Sequence, residues 1–190
     1  MQMKVIIETE RLILRELDYI DEKDMFEMDS DPEVHTYLGN RPVKSIIEIT
    51  RAIESLKKQY QENGIARWAV INKENNEFVG WSGLKYFNEP LNGRNHFYEL
   101  GYRFKKKHWG KGFAKESSIA ILDYGFKKLK IDTIFAIADA KNLKSKKILA
   151  RLGFTFQETF MHESSPTDWF ELKKAIWESK KKATKIHFAS

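Results

Sequence analysis

Apolar residues recur along this chain in two rhythms, steps of two and steps of three or four, and the switch between them marks its elements. Near the start Leu12 and Leu14 alternate with Ile13 and Arg15, which predicts a short first strand. Residues 21–29 open with acidic side chains, which suit a helix N-terminus, and are expected to be helical. Asp31-Pro32-Glu33 predicts another short helix, with Asp31 as cap and Pro32 at its first position. A longer helix is expected over residues 45–63. There Ile46, Ile49, Ile53, Leu56 and Tyr60 recur at helical steps, and Gly64 stops the run.

The middle of the chain changes period. Residues 66–71 and 78–87 read as two strands joined by a polar turn at 72–77, and a loop follows at 88–94. A further strand is predicted over 96–104, with Tyr98, Leu100, Tyr102 and Phe104 on one face and Glu99, Gly101 and Arg103 on the other. After Gly112 the stripe Ile119, Leu122, Phe126, Leu129 is helical. A compact apolar strand at 133–138, a helix at 142–152 ended by Gly153, and strands at 154–160 and 168–172 complete the pattern. The tail beyond Trp177, with Lys180-Lys181-Lys182, is polar and basic and is expected to fray. The order predicts a mixed α/β layer fold with one largely continuous sheet. One domain over residues 5–178 with a basic tail at 179–190 accounts for the organisation, and no linker divides it.

Composition narrows the chemistry. The 13 Phe, 7 Tyr and 5 Trp supply a core, and the charged residues are mixed in sign, which argues against disorder. The net charge of +6 favours an anionic partner: nucleic acid, an acidic membrane or a phosphorylated small molecule. With no cysteine there is no disulfide, no thiolate nucleophile and no thiolate metal site, which fits a reducing cytoplasm. No run of about 18 apolar residues is present, and the first residues turn charged too soon for a signal peptide, so a soluble cytoplasmic protein off the membrane is expected. The five histidines, His35, His96, His108, His162 and His187, show no ligand spacing, and no metal is expected.

The informative segment runs Glu99-Leu100-Gly101-Tyr102-Arg103-Phe104, then Lys105-Lys106-Lys107-His108, then Trp109-Gly110-Lys111-Gly112-Phe113-Ala114. A strand enters a glycine loop and the loop opens a long helix. Glycine lets backbone approach a ligand closely, and the first amides of a helix, with its dipole, form an anion site. Lys111 and the lysine run add positive charge. The segment is not a dinucleotide fingerprint, which needs a third glycine where Lys115 stands, and it lacks the Gly-Lys-Ser/Thr of a Walker loop. Two glycines alone could equally serve only to turn a strand into a helix. Gly80-Trp81-Ser82-Gly83 is not a nucleophile elbow.

Trp109-Gly110-Lys111-Gly112-Phe113-Ala114 resembles the pyrophosphate loop of GNAT acetyltransferases, written Q/R-x-x-G-x-G/A. The match is narrower for the branch that contains ribosomal-protein N-terminal (alanine/serine) acetyltransferases, with Glu99-Leu100-Gly101-Tyr102 on the preceding strand. Thr9-Glu10-Arg11-Leu12-Ile13-Leu14-Arg15 resembles that family's opening strand. Asn142-Leu143-Lys144-Ser145 and Leu152-Gly153-Phe154 resemble its later elements, in order. The likeness covers about residues 9–178. Trp109 departs from the Gln or Arg usual in the wider superfamily, which puts little in doubt if the amides carry the pyrophosphate.

The resemblance implies a GNAT fold, a mostly antiparallel central sheet flanked by helices, and direct acetyl transfer from acetyl-CoA to a primary amine in a ternary complex. The absence of cysteine agrees with the lack of a thiol acyl-enzyme. An attacking ammonium must lose a proton, and Glu99 is the candidate base, against the alternative of a strand carboxylate paired with a lysine. A free Glu titrates at about 4.3 and needs partial burial to act near neutrality. Ser145 is the candidate to protonate or hydrogen-bond the leaving thiolate. Asn142 would cap its helix and touch the pantetheine arm, though capping alone would explain it. The backbone of Tyr102, Arg103 and Phe104 would pair with the pantetheine amides, and the loop from Trp109 through Gly110, Lys111, Gly112, Phe113 and Ala114 would hold the phosphates. Two other readings stay open: an acyl-CoA-binding regulator without chemistry, and a basic RNA- or ribosome-associated protein. The acceptor is expected against the early helices and the loops at 88–95 and 161–167. Protein N-termini, ribosomal ones included, and small amines both fit a monomer or homodimer of this kind.

Overall fold

The computed structural model describes the backbone of residues 5–186 and side chains through residue 181. Its strands are β1 (Val5–Glu8), β2 (Leu12–Glu16), β3 (Arg67–Asn72), β4 (Glu77–Phe87), β5 (Phe97–Phe104), β6 (Thr133–Asp139), β7 (Thr155–His162) and β8 (Ser165–Lys173). The helices are α1 (Glu22–Asp29), α2 (Ile46–Asn63), α3 (Phe113–Lys127), α4 (Leu143–Leu152) and α5 (Lys174–Ile186). Among the described residues the strands form one sheet in the order β1-β2-β3-β4-β5-β6-β8-β7. Every neighbouring pair is antiparallel except β5 and β6, which run parallel. The fold is therefore the expected mixed α/β fold, a mostly antiparallel sheet flanked by helices.

Helices cover both faces of the sheet. Leu84, Leu100 and Phe104 meet Ile121, Leu122 and Phe126 of α3 on one face, where Leu149 and Leu152 of α4 and Trp177 of α5 also pack. On the other face Met25 and Met28 of α1 and Ile49 and Ile53 of α2 meet Ala69, Ile71 and Phe78. Burying such side chains stabilises by about 1.5–3 kcal/mol each. α2 follows its predicted limits closely. Glu48 accepts from the Ser45 N–H at 3.0 Å, closing the first turn, and Gly64 ends the helix at φ 70°. The predicted apolar stripe begins one turn late, since Ile46 is 42% exposed.

Three expectations need correction. The chain opens with a strand before the predicted first one. Val5, Ile6 and Ile7 are a continuous apolar run with no alternation to mark it, and pairing with β2 creates it. The helix predicted from Asp31 is a run of turns over residues 32–40. Asp31 Oδ1 does accept from the Glu33 N–H at 2.9 Å, but the later bonds are mostly of the tight i to i−3 kind and the segment ends at Gly39 and Asn40 with positive φ. The tail expected to fray beyond Trp177 continues α5 to residue 186. Trp177 is 4% exposed, its indole donates to Asp123 Oδ1 at 2.8 Å, and Lys181 pairs with the same carboxylate. Residues 187–190, which include His187, lie outside the described residues.

Candidate active site

β5 is the strand that builds the site. Its whole length pairs with β4, from Phe97↔Phe87 to Phe104↔Gly80. With β6 it pairs only at Tyr98↔Ile134 and Glu99↔Phe135, after which the two parallel strands separate. Residues 100–104 thus have a strand partner on one side only, and the unpaired side faces a gap between β5 and β6. Backbone groups left there need a partner, and an extended chain carrying amides can supply it.

The gap is closed below by the connection from β5 to α3. Gly110 (φ 77°) and Gly112 (φ 84°) adopt the left-handed conformation. A Cβ on Gly110 would meet nothing within 4 Å, so its need for glycine is conformational rather than steric. Gly112 caps α3, and the first helical bond runs from the Glu116 N–H to the Gly112 carbonyl at 3.0 Å. The amides of residues 113–115 consequently lack a helical acceptor and lie at the positive end of the helix. Phe113 turns its ring into the core at 6% exposure, so its backbone, not its ring, is available to a ligand. Lys111 and Gly112 are exposed and Ala114 half-buried.

A clamp missed at the sequence level fixes this loop. Glu116 in the first turn of α3 accepts from the Thr9 hydroxyl at 2.6 Å, the Arg11 amide at 3.0 Å and Arg11 Nε at 2.7 Å. Arg11 Nη1 donates to the Lys111 carbonyl at 3.0 Å. Burial works to raise the Glu116 carboxyl, but the Thr9 and Arg11 donors outweigh it and hold it below its ordinary value. The opening motif Thr9-Glu10-Arg11 was legible as a resemblance; its mechanical link to a helix 100 residues later was not.

Trp109 has a similar positioning role. Its indole N–H donates to the Phe104 carbonyl at 2.8 Å, tying the loop to the end of β5, and the Lys144 amine sits 5.5 Å above its ring. The lysine run, by contrast, points elsewhere than a phosphate site. Lys105 is buried and pairs with Asp24 and Glu27 of α1 at 2.6 Å each, Lys106 with Glu33 at 2.7 Å, and Lys107 with Glu77 at 2.6 Å. These pairs fasten the β5–α3 connection to α1, to the turns at 32–40 and to the start of β4.

Across the gap stands the start of α4. Asn142 caps it, accepting from the Ser145 N–H at 3.1 Å, and the Ser145 hydroxyl lies 3.0 Å from the Tyr102 hydroxyl. Burial pushes the Tyr102 hydroxyl up to about 12, with the Ser145 contact opposing. Tyr102, Trp109, Asn142, Lys144 and Ser145 are therefore brought together around the gap on the α3 and α4 side.

Glu99 and Arg103 occupy the opposite face. Glu99 is 5% exposed, and its Oε2 is ion-paired with Arg67 Nη2. Arg67 Nη1 also donates to the Gly83 carbonyl at 2.6 Å and the Glu99 carbonyl at 2.8 Å. The guanidinium can lie over β5 because Gly101 carries no side chain. A Cβ on Gly101 would come within 2.6 Å of Arg67 Nη2. Arg103 donates to Asp29 of α1 at 2.8 Å, and both arginines stack on Trp81, at 5.4 and 5.1 Å. The partner of Glu99 is thus an arginine from β3, not a surface lysine. The Arg67–Glu99 pair was invisible in sequence because it joins residues on β3 and β5 with β4 between them.

The segment 11–155 matches the family described as "Acetyltransferase (GNAT) domain". The chain belongs to the GNAT acetyltransferase family. Among its relatives is the uncharacterized N-acetyltransferase p20 of Bacillus licheniformis, 34% identical over 146 residues, covering 77% of this chain and 80% of p20. The solved spermidine N-acetyltransferase from Vibrio cholerae, in complex with CoA and spermine, superposes with a TM-score of 0.72 at 20% identity, covering 89% of this chain and 99% of that one. The ribosomal-protein-S5-alanine acetyltransferase from Vibrio fischeri superposes with a TM-score of 0.73 at 18% identity, covering 92% of this chain and 99% of that one. The near-equal fits show that this GNAT fold does not by itself select an acceptor. The protein is an N-acetyltransferase. No helix among the described residues is long and apolar enough to cross a membrane, and no group of His, Asp and Glu there could hold a metal.

Proposed function

We propose that the protein transfers the acetyl group of acetyl-CoA to a primary amine by direct attack in a ternary complex. The observation that carries this reading is the placement of two sets of groups on opposite faces of β5 where it leaves β6. Tyr102 and Ser145 lie on the α3 and α4 side with the glycine loop, and Glu99 lies on the α1 and α2 side. The open side of residues 100–104 would hold the pantetheine amides, and the amides at the start of α3 the pyrophosphate, with Lys111 adding charge.

In this reading the ammonium first gives one proton to Glu99, directly or through water. The amine nitrogen then bonds to the thioester carbon, the C–S bond breaks, and the second proton that the nitrogen sheds on becoming an amide reaches the leaving CoA thiolate through water. The Tyr102–Ser145 pair donates a hydrogen bond to the departing sulfur rather than a whole proton. A hydroxyl at about 12 is a far weaker acid than a thiol at about 8.5, so full transfer would run uphill by about 5 kcal/mol. The lysine run is consumed in ion pairs, which weakens the case for an RNA-binding surface.

Calorimetry with acetyl-CoA, followed by CoA-release kinetics over an amine panel that includes ribosomal-protein N-terminal peptides, tests the proposal. Micromolar binding, about −8 kcal/mol, and amine-dependent CoA release are expected. Absence of binding would overturn the transferase reading, and binding without amine-dependent release would favour a regulator.

A further inference from the structure

On the Glu99 face, the sheet beyond Arg67 carries a floor of rings, with Phe97 and Trp169 buried in it and Phe87 and Phe135 half-buried. Phe87 stacks on Phe97 at 5.0 Å, and Phe97 meets Phe135 at 5.4 Å and Trp169 at 5.3 Å. Phe160 packs on Trp169 at 5.8 Å. Phe135 is the β6 partner of Glu99, so this floor begins beside the candidate base. Phe135 and Ile137 stay half-buried. The 88–95 loop reaches over one edge. Arg94 stacks on Phe135 and Trp169 at 5.7 and 5.4 Å, and Asn92 and Arg94 hold Glu158 of β7 at 3.0 and 3.4 Å. The indole N–H of Trp169 is buried without a hydrogen-bond partner.

Two carboxylates at this floor are already committed. Glu99 is paired with Arg67, and Glu158 with Arg94. Lys85 stands directly opposite Glu99 on β4, half-buried, with its amine 4.3 Å from the Phe87 ring centre. It makes no ion pair or hydrogen bond among the described residues; Glu99 and Glu89 act on it only from farther off. Burial, then the nearby Arg67, lower its pKa, and the more distant Glu99 and Glu89 offset this only in part. Charges that leave water are normally paired. With Glu99 the carboxylate for the reacting amine and Glu158 held by Arg94, neither is free for the further ammonium groups of a polyamine, whereas the half-buried Lys85 suits an anionic group on the ligand.

Resting on the acetyltransferase reading above, we propose that the acceptor is a free α-amino acid with an apolar or aromatic side chain. Its amine would stand at Glu99, its carboxylate at Lys85 and its side chain on the Phe87–Phe97–Phe135 floor. Opposed residues on antiparallel strands have Cα atoms about 4.5–5.5 Å apart, which suits an amine and a carboxylate carried on one carbon.

The test compares initial rates of acetyl transfer to L-phenylalanine, L-leucine, L-phenylalaninamide, phenethylamine and spermidine. The amino acids should have kcat/KM at least tenfold above the amide, phenethylamine and spermidine. Lys85→Met should raise KM for L-phenylalanine by about ten- to a hundredfold, the loss of one charge-assisted contact, and leave KM for phenethylamine unchanged. Lys85→Arg should restore most of the preference, which a merely structural lysine would not require. Spermidine or phenethylamine as the best acceptor, or equal loss on both substrates in Lys85→Met, would overturn the assignment while leaving the transferase intact. No transfer to any amine would remove the transferase reading and this inference with it.

Discussion

Replacing Glu99 by Gln separates a chemical from a structural role for this carboxylate. The side chain is 5% exposed and paired with Arg67, so the change leaves a guanidinium without its counter-charge. Breaking a buried pair costs about 3–5 kcal/mol, and the lower end applies because Gln still offers Arg67 a carbonyl oxygen. For a chain of 190 residues that is a fall in Tm of about 6–12 °C. Loss of general-base help should slow the chemical step by about 10²–10⁴-fold, or about 2.7–5.5 kcal/mol in the barrier. The two effects are measured apart. Single-turnover acetyl transfer, run well below the Tm of the variant, reads the chemistry. Calorimetry with acetyl-CoA reads the opposite face of β5 and should show an unchanged Kd. The rate deficit should shrink as pH rises and the amine loses its proton unaided. Equal rates near neutrality, or a deficit that stays constant with pH, would refute Glu99 as the base and leave the pair with Arg67 as a scaffold.

Gly112→Val should abolish acetyl-CoA binding in calorimetry, because a branched residue resists φ 84° and would crowd Arg11; an unchanged Kd would contradict the loop assignment. Tyr102→Phe and Ser145→Ala should each lower kcat by about tenfold, and the double variant should lose little more, since the two hydroxyls form one hydrogen-bonded unit; additive losses in steady-state kinetics would count against this. Glu77 is held down to about 2, chiefly by Lys107 and then His108 against the opposing effect of burial. Its contribution is therefore present above about pH 4.5 and lost as pH falls through about 2. Glu77→Gln should cost about 1–2 kcal/mol at pH 7, discounted for partial exposure, with denaturation curves of the two proteins converging below about pH 2. Removing residues 179–190 takes away Lys181 and its pair with Asp123; a drop in stability of about 1 kcal/mol by urea unfolding is expected, and no change would support a dispensable tail.

Periodicity located most of the elements because the core is built from stripes that each element carries in itself. The stripe Ile49, Ile53, Leu56 set α2, and the alternation from Tyr98 to Phe104 set β5 with both of its faces. Elements made by their neighbours were not legible. β1 exists through pairing with β2, and α5 is held by Trp177 and Lys181 against Asp123, although its composition reads as a solvated tail. The site divides in the same way. The glycine loop and the Asn142 cap announce themselves locally, since each depends on backbone conformation over a few residues. The ion pairs that decide what the charged residues do are long-range. Lys105 to Asp24 and Glu27, Arg67 to Glu99, and Arg11 to Glu116 span between 32 and 105 positions, and none has a sequence signature. The lysine run illustrates the consequence: beside the glycine loop in sequence, it pairs in space with Asp24 and Glu27 of α1, with Glu33 and with Glu77.

The most direct test of the account is to incubate the purified protein with acetyl-CoA and the amine panel and to identify the products by mass spectrometry. The account predicts an acetyl group in amide linkage on a primary amine nitrogen, formed in equal amount with free CoA and lost in Glu99→Gln at neutral pH. Acetyl-CoA binding with no acetylated amine, or acetyl released only as acetate, would contradict it.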